Sequence, residues 1–264
     1  MPEAFHFGAP SRALLGLRHP PSTPARGALL ACMPLLQEGI RCQRALWSLS
    51  EALAAAGVDV LRFDWYGSGD SSGETRALTV AGMVDDIAAA ETFLRGSAPA
   101  PQPRLLALRS AALPLLLYAS RGRGAVDMVL WAPVLDGRAL VAAWREQHRR
   151  QLHATGRFPR AGTEAGDDEL LGFVLDPALP AGIEALDGHD LLLPAGSRLL
   201  VVQWPGSPVD VRFLAAQRAA GVQVDCLELD TPDEPDWEDP DGFEAQLFPR
   251  RAVTQLAGTL AGVP

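Results

Sequence analysis

The sequence predicts an α/β fold, a mostly parallel doubly wound sheet with a small helical cap insertion. Short apolar runs alternate with amphipathic stretches through most of the 264 residues. This pattern is typical of βαβ units whose parallel sheet is covered on both faces. The alternation breaks between residues 134 and 197. We therefore predict a single domain over residues 1–264, with a cap or lid inserted at 134–197.

The predicted elements follow in chain order. The first two apolar segments, residues 4–7 and 13–17, are expected to form an antiparallel hairpin. Short buried-type runs predict strands at residues 27–33, 58–63, 104–108, 126–131, 199–204 and 222–229. Apolar side chains at helical spacing predict helices at residues 44–56, 80–94, 111–119, 211–220 and 252–260. The first of these helices is expected to stop at Gly57.

The insertion has its own pattern. Residues 138–153 read as one helix, and residues 176–186 as a shorter one. Between them lies a glycine- and acid-rich segment, residues 158–168. A further acidic stretch, residues 230–241, is predicted to be a loop, because proline and repelling like charges disfavour regular structure there.

Composition excludes several function classes. A net charge of −9 disfavours nucleic acid as a partner. The cysteines Cys32, Cys42 and Cys226 have neither CxxC nor metal-ligand spacing, so we expect reduced thiols, no metal and no cofactor. The first residues lack the pattern of a signal peptide, and the apolar runs are too short for a transmembrane segment. These observations predict a cytoplasmic protein.

Ligands of a doubly wound sheet bind beyond the carboxyl ends of its strands. The strand at residues 27–33 runs into MPLL, where a free backbone N–H such as that of Leu35 can supply one oxyanion-hole donor. A plain strand exit at Pro34 is the alternative. The next strand ends in a glycine-rich loop that lacks the third glycine of a dinucleotide loop. There we expect Asp70 and Ser71 to fix the loop by hydrogen bonds.

The turn after the predicted strand at residues 104–108 carries the most informative motif. It reads ALRSA over residues 107–111. A nucleophile elbow of the α/β-hydrolase fold has small residues two positions before and after the nucleophile, because the strand-to-helix turn is strained. Ala107 and Ala111 fit those positions, so the motif predicts the α/β-hydrolase fold with Arg109 at the nucleophile position. A guanidinium is always protonated and cannot attack an acyl carbon.

A catalytic triad also needs a histidine and an acid. None of the five histidines follows the last predicted strand, where the triad histidine is expected. Asp210 follows the strand at 199–204 as a triad acid does, but without a histidine to orient it has no such role. Ser110 is expected to be a helix N-cap whose backbone N–H faces the oxyanion hole.

On these motifs the chain resembles bacterial α/β-hydrolase-fold proteins of the serine-aminopeptidase-like group, and more narrowly the exosortase A system-associated hydrolase 2 family. The elbow of that family has the form Gly-Leu-Arg-x-Gly-Ala, matched here by ALRSAA at residues 107–112. Further similarity lies at residues 32–38, 41–47, 60–64, 67–73, 85–87, 172–179 and 182–187, and more weakly at 236–237 and 247–249.

The resemblance covers most of the chain. It implies an α/β-hydrolase fold in a bacterial protein associated with export and exopolysaccharide gene clusters, and "hydrolase" in the family name describes the fold. The chain departs from the family pattern at the elbow glycines, replaced by Ala107 and Ala111. It departs again at residues 35–36 (LL), where a Pro-Phe turn is usual.

Our main functional prediction is a divergent protein without an evident triad that binds a small anionic molecule or a protein partner. Arg109, Ser110 and Leu35 are the predicted ligand-binding residues, because helix-end N–H groups favour anions and a guanidinium adds bidentate recognition. A structural salt bridge of Arg109, with Asp64 or Asp210 as its expected partner, is the competing interpretation.

Two other functions stay open, and with them whether the chain is an enzyme. One is an active serine- or cysteine-type hydrolase, acting on an acyl ester, thioester or peptide. Ser110, Cys32 and Asp210 are then the candidate catalytic residues, with Arg109 providing the electropositive surroundings that a Cys32 thiolate needs. The other is an interaction subunit acting through its cap and through Trp237 in the acidic loop.

Overall fold

The computed structural model describes residues 1–97, 102–122, 124–154, 168–207, 210–231, 233–235 and 248–262. Its strands are β1 (Glu3–Ala9), β2 (Arg12–His19), β3 (Gly27–Cys32), β4 (Val58–Phe63), β5 (Arg104–Leu108), β6 (Asp127–Trp131), β7 (Glu169–Leu170), β8 (Phe173–Val174), β9 (Arg198–Gln203) and β10 (Gln223–Glu228). Its α-helices are α1 (Leu36–Ala55), α2 (Val80–Ser97), α3 (Ala112–Ser120), α4 (Gly137–Ala154), α5 (Ala178–Glu184), α6 (Val211–Ala219) and α7 (Arg250–Gly262).

One eight-stranded sheet runs in the order β1-β2-β4-β3-β5-β6-β9-β10. The predicted hairpin is confirmed as β1 and β2, and β2 is also antiparallel to β4. From β4 to β10 every neighbouring pair is parallel. Because strand order reverses at β3, the carboxyl ends of β3 and β5 lie at the switch point where such sheets bind ligands.

Helices cover both faces of this sheet. Successive strand side chains point to opposite faces. Leu30 and Cys32 of β3 therefore lie in the core that α2, α3 and α6 complete. Leu29 and Ala31 lie in a second core, against α1 and α7. The near-continuous burial of β3 and its neighbours explains why their sequences are apolar runs without alternation.

The segment between β6 and β9 contains the helices predicted at 138–153 and 176–186, found as α4 and α5. It also contains the two-stranded β7–β8 hairpin, which was not predicted. Leu171 and Gly172, at the hairpin turn, both have positive φ. Residues 155–167 lie outside the described residues, and so does Trp237. No helix in the described parts of the chain is both long and apolar enough to cross a membrane.

Helix α1 begins at Leu36, eight residues before the predicted start at residue 44. The first turns of this helix contain Glu38 and Arg41, which are 9% and 2% exposed. Two buried charges in this stretch interrupt the apolar spacing from which a helix is predicted. Glu38 belongs to the site described next.

Candidate functional site

The turn after β5 has the geometry of a nucleophile elbow. Arg109 has a φ of 50°, in the left-handed region, and residues Arg109–Ala111 form a 3-10 turn that leads into α3. Ala107 and Ala111, the two small residues that flank Arg109, are fully buried. The backbone carbonyl of Arg109 accepts a hydrogen bond from Val134 N at 3.3 Å. The strained strand-to-helix turn predicted from ALRSA is thus present.

The carboxylate of Glu38 bridges two groups of the elbow. Its Oε1 accepts from Arg109 Nε at 3.1 Å, and its Oε2 accepts from the backbone N of Ser110 at 3.3 Å. The side chains of Arg109 and Glu38 are 19% and 11% exposed. The salt bridge considered for Arg109 is present, but its partner is Glu38 and not Asp64 or Asp210. Asp64 and Asp210 each follow a strand, whereas Glu38 lies on a helix that begins eight residues before its predicted start.

Close packing at the start of α1 positions Glu38. Leu36 has a φ of 51°, so the chain turns sharply as it leaves β3. A Cβ at Gly39 would lie only 2.5 Å from the carbonyl oxygen of Pro34, so only glycine lets the first helical turn pack this closely. This approach holds the Glu38 carboxylate over the elbow.

The side chain of Ser110 binds the other backbone N–H that was expected to serve an oxyanion hole, that of Leu35. Its Oγ accepts from the backbone N of Leu35 at 2.9 Å, and its side chain is fully buried. The expectation that Ser110 caps a helix was wrong: the N-cap of α3 is Ala111, without a side-chain cap bond. The N–H groups of Leu35 and Ser110, which the sequence suggested for an oxyanion hole, therefore both bind groups of the chain itself.

Gln37, beside Glu38, ties the elbow to the segment between β6 and β9. Its Nε2 donates to the carbonyl of Leu171 at 2.8 Å, and its Oε1 accepts from Gln147 and Gln151 at 3.2 and 2.9 Å. The Nδ1 of His148 accepts from Leu171 N at 3.0 Å. The β7–β8 turn is consequently fixed both to α4 and to the start of α1.

Asp210 stands after β9, where a triad acid is expected, and a histidine does bind it. His189 Nε2 lies 2.9 Å from Asp210 Oδ2, and His189 Nδ1 lies 2.6 Å from Asp187 Oδ1. The prediction that Asp210 has no histidine to orient was therefore wrong, because His189 precedes β9 instead of following the last strand. Asp210 is also the N-cap of α6, accepting from Phe213 N at 2.9 Å.

Two residues of this cluster of Asp187, His189 and Asp210 line a cavity of about 330 Å³, namely His189 and Asp210. Val134, Leu135 and Phe213 are among its apolar lining residues. Both ring nitrogens of His189 face carboxylates, so in this arrangement neither is directed at a hydroxyl or thiol nucleophile. The cluster is an ion-pair network rather than an acid and base of a triad.

Cys32, the other candidate nucleophile, lies at the end of β3 with 1% exposure. Burial raises the pKa of its thiol, and the nearby Glu91 carboxylate raises it further. Arg109 was expected to make these surroundings electropositive, but the charge that acts on Cys32 is negative. A thiolate is disfavoured at this position.

The loop after β4 serves a structural purpose. Ser71 Oγ donates to the carbonyl of Asp64 at 2.6 Å and accepts from Leu15 N at 2.8 Å. Asp70 N donates to Asp64 Oδ2 at 3.1 Å. The prediction that Asp70 and Ser71 fix this loop is confirmed. Among the residues that the structure describes, no group of three His, Cys, Asp or Glu side chains is arranged to hold a metal ion.

The His189 cluster makes stability depend on pH. The hydrogen bond to Asp187 raises the pKa of His189 above its ordinary value despite an opposing effect of burial, and Asp210 adds to the rise. The stabilisation is present below the unfolded-state pKa of about 6.5 and is lost as pH rises through the folded-state pKa. We expect His189→Gln to lower the melting temperature, relative to the wild type, by more at pH 5.5 than at pH 9. Asp187→Asn should reduce this pH dependence. An equal decrease in the melting temperature of His189→Gln at both pH values would contradict the network.

Comparison with solved structures is informative about the fold. The chain is similar to Est1E from Butyrivibrio proteoclasticus, with 12% identity, 98% and 96% of the two chains covered and a TM-score of 0.62. It is similar to an alpha-beta serine hydrolase homologue from Coxiella burnetii (16% identity, 98% and 95% covered, TM-score 0.56). It is also similar to the esterase domain of a Rhodothermus marinus protein (18% identity, 99% and 96% covered, TM-score 0.58).

No protein-family model matches the chain, and no curated protein is similar enough in sequence to count as a relative. Because the sequence identities to the solved structures are low, these similarities show the fold of the chain and not its activity. The sheet order, the elbow and the structural neighbours agree. The chain has the α/β-hydrolase fold, with helices on both faces of a mostly parallel eight-stranded sheet.

Proposed function

We propose that this protein binds a small carboxylate or phosphate at the elbow and does not hydrolyse it there. The observation that carries the proposal is the Glu38 carboxylate, which bridges Arg109 Nε and the backbone N of Ser110. A carboxylate of the chain occupies the donors that an anionic ligand would use. A ligand would replace it by exchanging one anion for another on the same guanidinium and helix-end N–H.

The nucleophile position supports a non-catalytic site. Arg109 has no electron pair for acyl attack. Ser110 Oγ is buried and bound to Leu35 N, and the thiol of Cys32 is buried beside a carboxylate. Among the described residues no histidine hydrogen-bonds to Ser110. An activated nucleophile needs such a base or a lowered pKa.

Anion titration tests the proposal. Hexanoate and inorganic phosphate would be titrated calorimetrically into the wild type and into Arg109→Lys. We expect the wild type to bind at least one probe, and the lysine variant to bind it at least about tenfold more weakly, because a point charge replaces the planar fork. The anion site would be refuted if neither probe bound to the wild type, or if the wild type and Arg109→Lys bound the probe with equal affinity.

A hydrolase is the second candidate, and the structural neighbours favour it. Their descriptions name an esterase domain and a serine hydrolase homologue, and Est1E is described with ferulic acid bound. Activity would require Ser110, Cys32 or Asp210 to act in a rearranged site. A p-nitrophenyl acyl ester panel decides between the candidates: we expect no turnover above the buffer rate. Turnover that Ser110→Ala, Cys32→Ala or Asp210→Asn abolishes would establish the hydrolase instead.

The narrower family assignment is part of the proposal. The arginine at the elbow supports membership of the exosortase A system-associated hydrolase 2 family, and thereby a bacterial cytoplasmic protein associated with export or exopolysaccharide synthesis. We also propose that residues 134–197 form a cap, since α4, α5 and the β7–β8 hairpin lie between β6 and β9. Of these elements, α4 and the hairpin turn contact the start of α1 through Gln37.

A further inference from the structure

Arg62, on β4 and away from the elbow, is a buried cation that forms no ion pair with any of the described residues. It is 3% exposed. Its Nη1 donates to Gln43 Oε1 at 3.2 Å, and its Nε has no partner. Among the described residues, no carboxylate lies within 4.0 Å of its guanidinium nitrogens. Buried charges are normally paired, and an unsatisfied charged donor is costly, so this arrangement requires an explanation.

The guanidinium lines a cavity of about 300 Å³ between α1 and the β2–β4 side of the sheet. The indole of Trp47 forms one wall, with its ring centroid 5.5 Å from the Arg62 guanidinium carbon. Leu17 of β2, which pairs with Arg62 in the sheet, contributes an apolar surface. Asp64 lies two residues after Arg62 and lines the same cavity.

Burial shifts the pKa values of two charged groups of the cavity, Arg62 and Asp64. Burial lowers the pKa of Arg62 to about 10, although Asp64 opposes this shift. Burial also raises the pKa of Asp64, against the hydrogen bond from Asp70 N. Each group affects the pKa of the other, yet no hydrogen bond or ion pair joins Arg62 to Asp64. The space between them suits a bridging molecule.

We propose that this cavity binds a planar ring with an amide edge, such as a pyrimidinone. Its carbonyl would accept from Arg62, its N–H would donate to Asp64, and its face would stack on Trp47. A simple anion fits less well, because Asp64 and Asp70 both line the cavity. The apolar lining by Leu15 and Leu17 suits the ring itself.

Uracil is the test probe, and 1,3-dimethyluracil is its matched control because methylation removes both N–H donors. The readout is the indole N–H signal of Trp47 in two-dimensional NMR, assigned with Trp47→Phe. We expect uracil to shift this signal with a dissociation constant on the order of a millimolar. Dimethyluracil should bind at least about tenfold more weakly, because a hydrogen bond to a charged group is lost.

Arg62→Met should weaken the binding of uracil at least about tenfold. Arg44→Met, which removes an exposed arginine of the same helix as Trp47 that does not line the cavity, should leave binding unchanged. The Arg62 variant is expected to fold with an equal or higher melting temperature, because an apolar side chain replaces an unpaired buried charge. Benzoate, a planar anion without an N–H donor, is a further probe. The proposal is overturned if uracil does not bind, if dimethyluracil or benzoate binds as tightly as uracil, or if a folded Arg62→Met binds uracil as the wild type does.

Discussion

Replacing Arg109 by alanine is expected to lower the free energy of unfolding by about 3 kcal/mol. The change leaves Glu38, which is 9% exposed, without its guanidinium partner in the protein interior. An uncompensated buried carboxylate costs more than the loss of the pair itself, which explains the size of the effect. Urea denaturation followed by circular dichroism measures it.

A double-mutant cycle provides the control. Glu38→Met combined with Arg109→Met should cost less than the sum of the two single changes, because removing both charges leaves neither one stranded. Additive losses, or a loss below about 0.5 kcal/mol for Arg109→Ala, would show that the pair behaves as a surface contact. Either outcome would remove the structural basis of the anion site.

Gly39→Ala should destabilise the protein by about 2 kcal/mol. Its new Cβ would lie 2.5 Å from the backbone oxygen of Pro34, which has no flexible end to move aside. The first turn of α1 must then shift, and the Glu38 carboxylate with it. Denaturant melts give the free energy, and calorimetry with hexanoate shows whether the displaced carboxylate leaves the elbow more open to the probe.

Gly258→Ala on α7 is the matched control. Nothing lies within 4 Å of the Cβ position at Gly258, so alanine there should stabilise the helix by up to about 1 kcal/mol through its higher helix propensity. Opposite signs at the two glycines are the expected result. Equal effects would mean that close packing against Pro34 does not fix the start of α1.

Much of the fold follows from apolar patterning. The strands of a sheet covered on both faces are continuous apolar runs, and β3, β5, β6 and β9 were each predicted on that basis. The β7–β8 hairpin was missed because its strands have two residues each, too short for any periodicity. Gly172 at its turn was the available signal.

The elbow was predictable because its constraint is local. A strained turn between strand and helix requires small flanking residues, and ALRSA shows them in five consecutive positions. The partner of Arg109 was not predictable in the same way. Glu38 lies 71 residues away in the sequence, and its burial depends on the close approach of Gly39 to Pro34.

His189 shows the same limit. Asp210 was recognised from its position after β9, since the chain order of an α/β-hydrolase fixes where an acid follows a strand. Its histidine comes from the segment before β9, where no rule of chain order places one. Asp187, two residues earlier, was the local signal: its side chain accepts from His189 N at 2.9 Å and holds the ring in place.

The most direct test of the anion site is the affinity of hexanoate for Glu38→Gln relative to the wild type, measured by calorimetry. Glutamine keeps the shape of the side chain and removes the charge that competes for Arg109 and the Ser110 N–H. We predict at least about tenfold tighter binding by the variant. Equal affinities, or no binding by a folded Glu38→Gln, would contradict the conclusion that Glu38 occupies a site built for an anion.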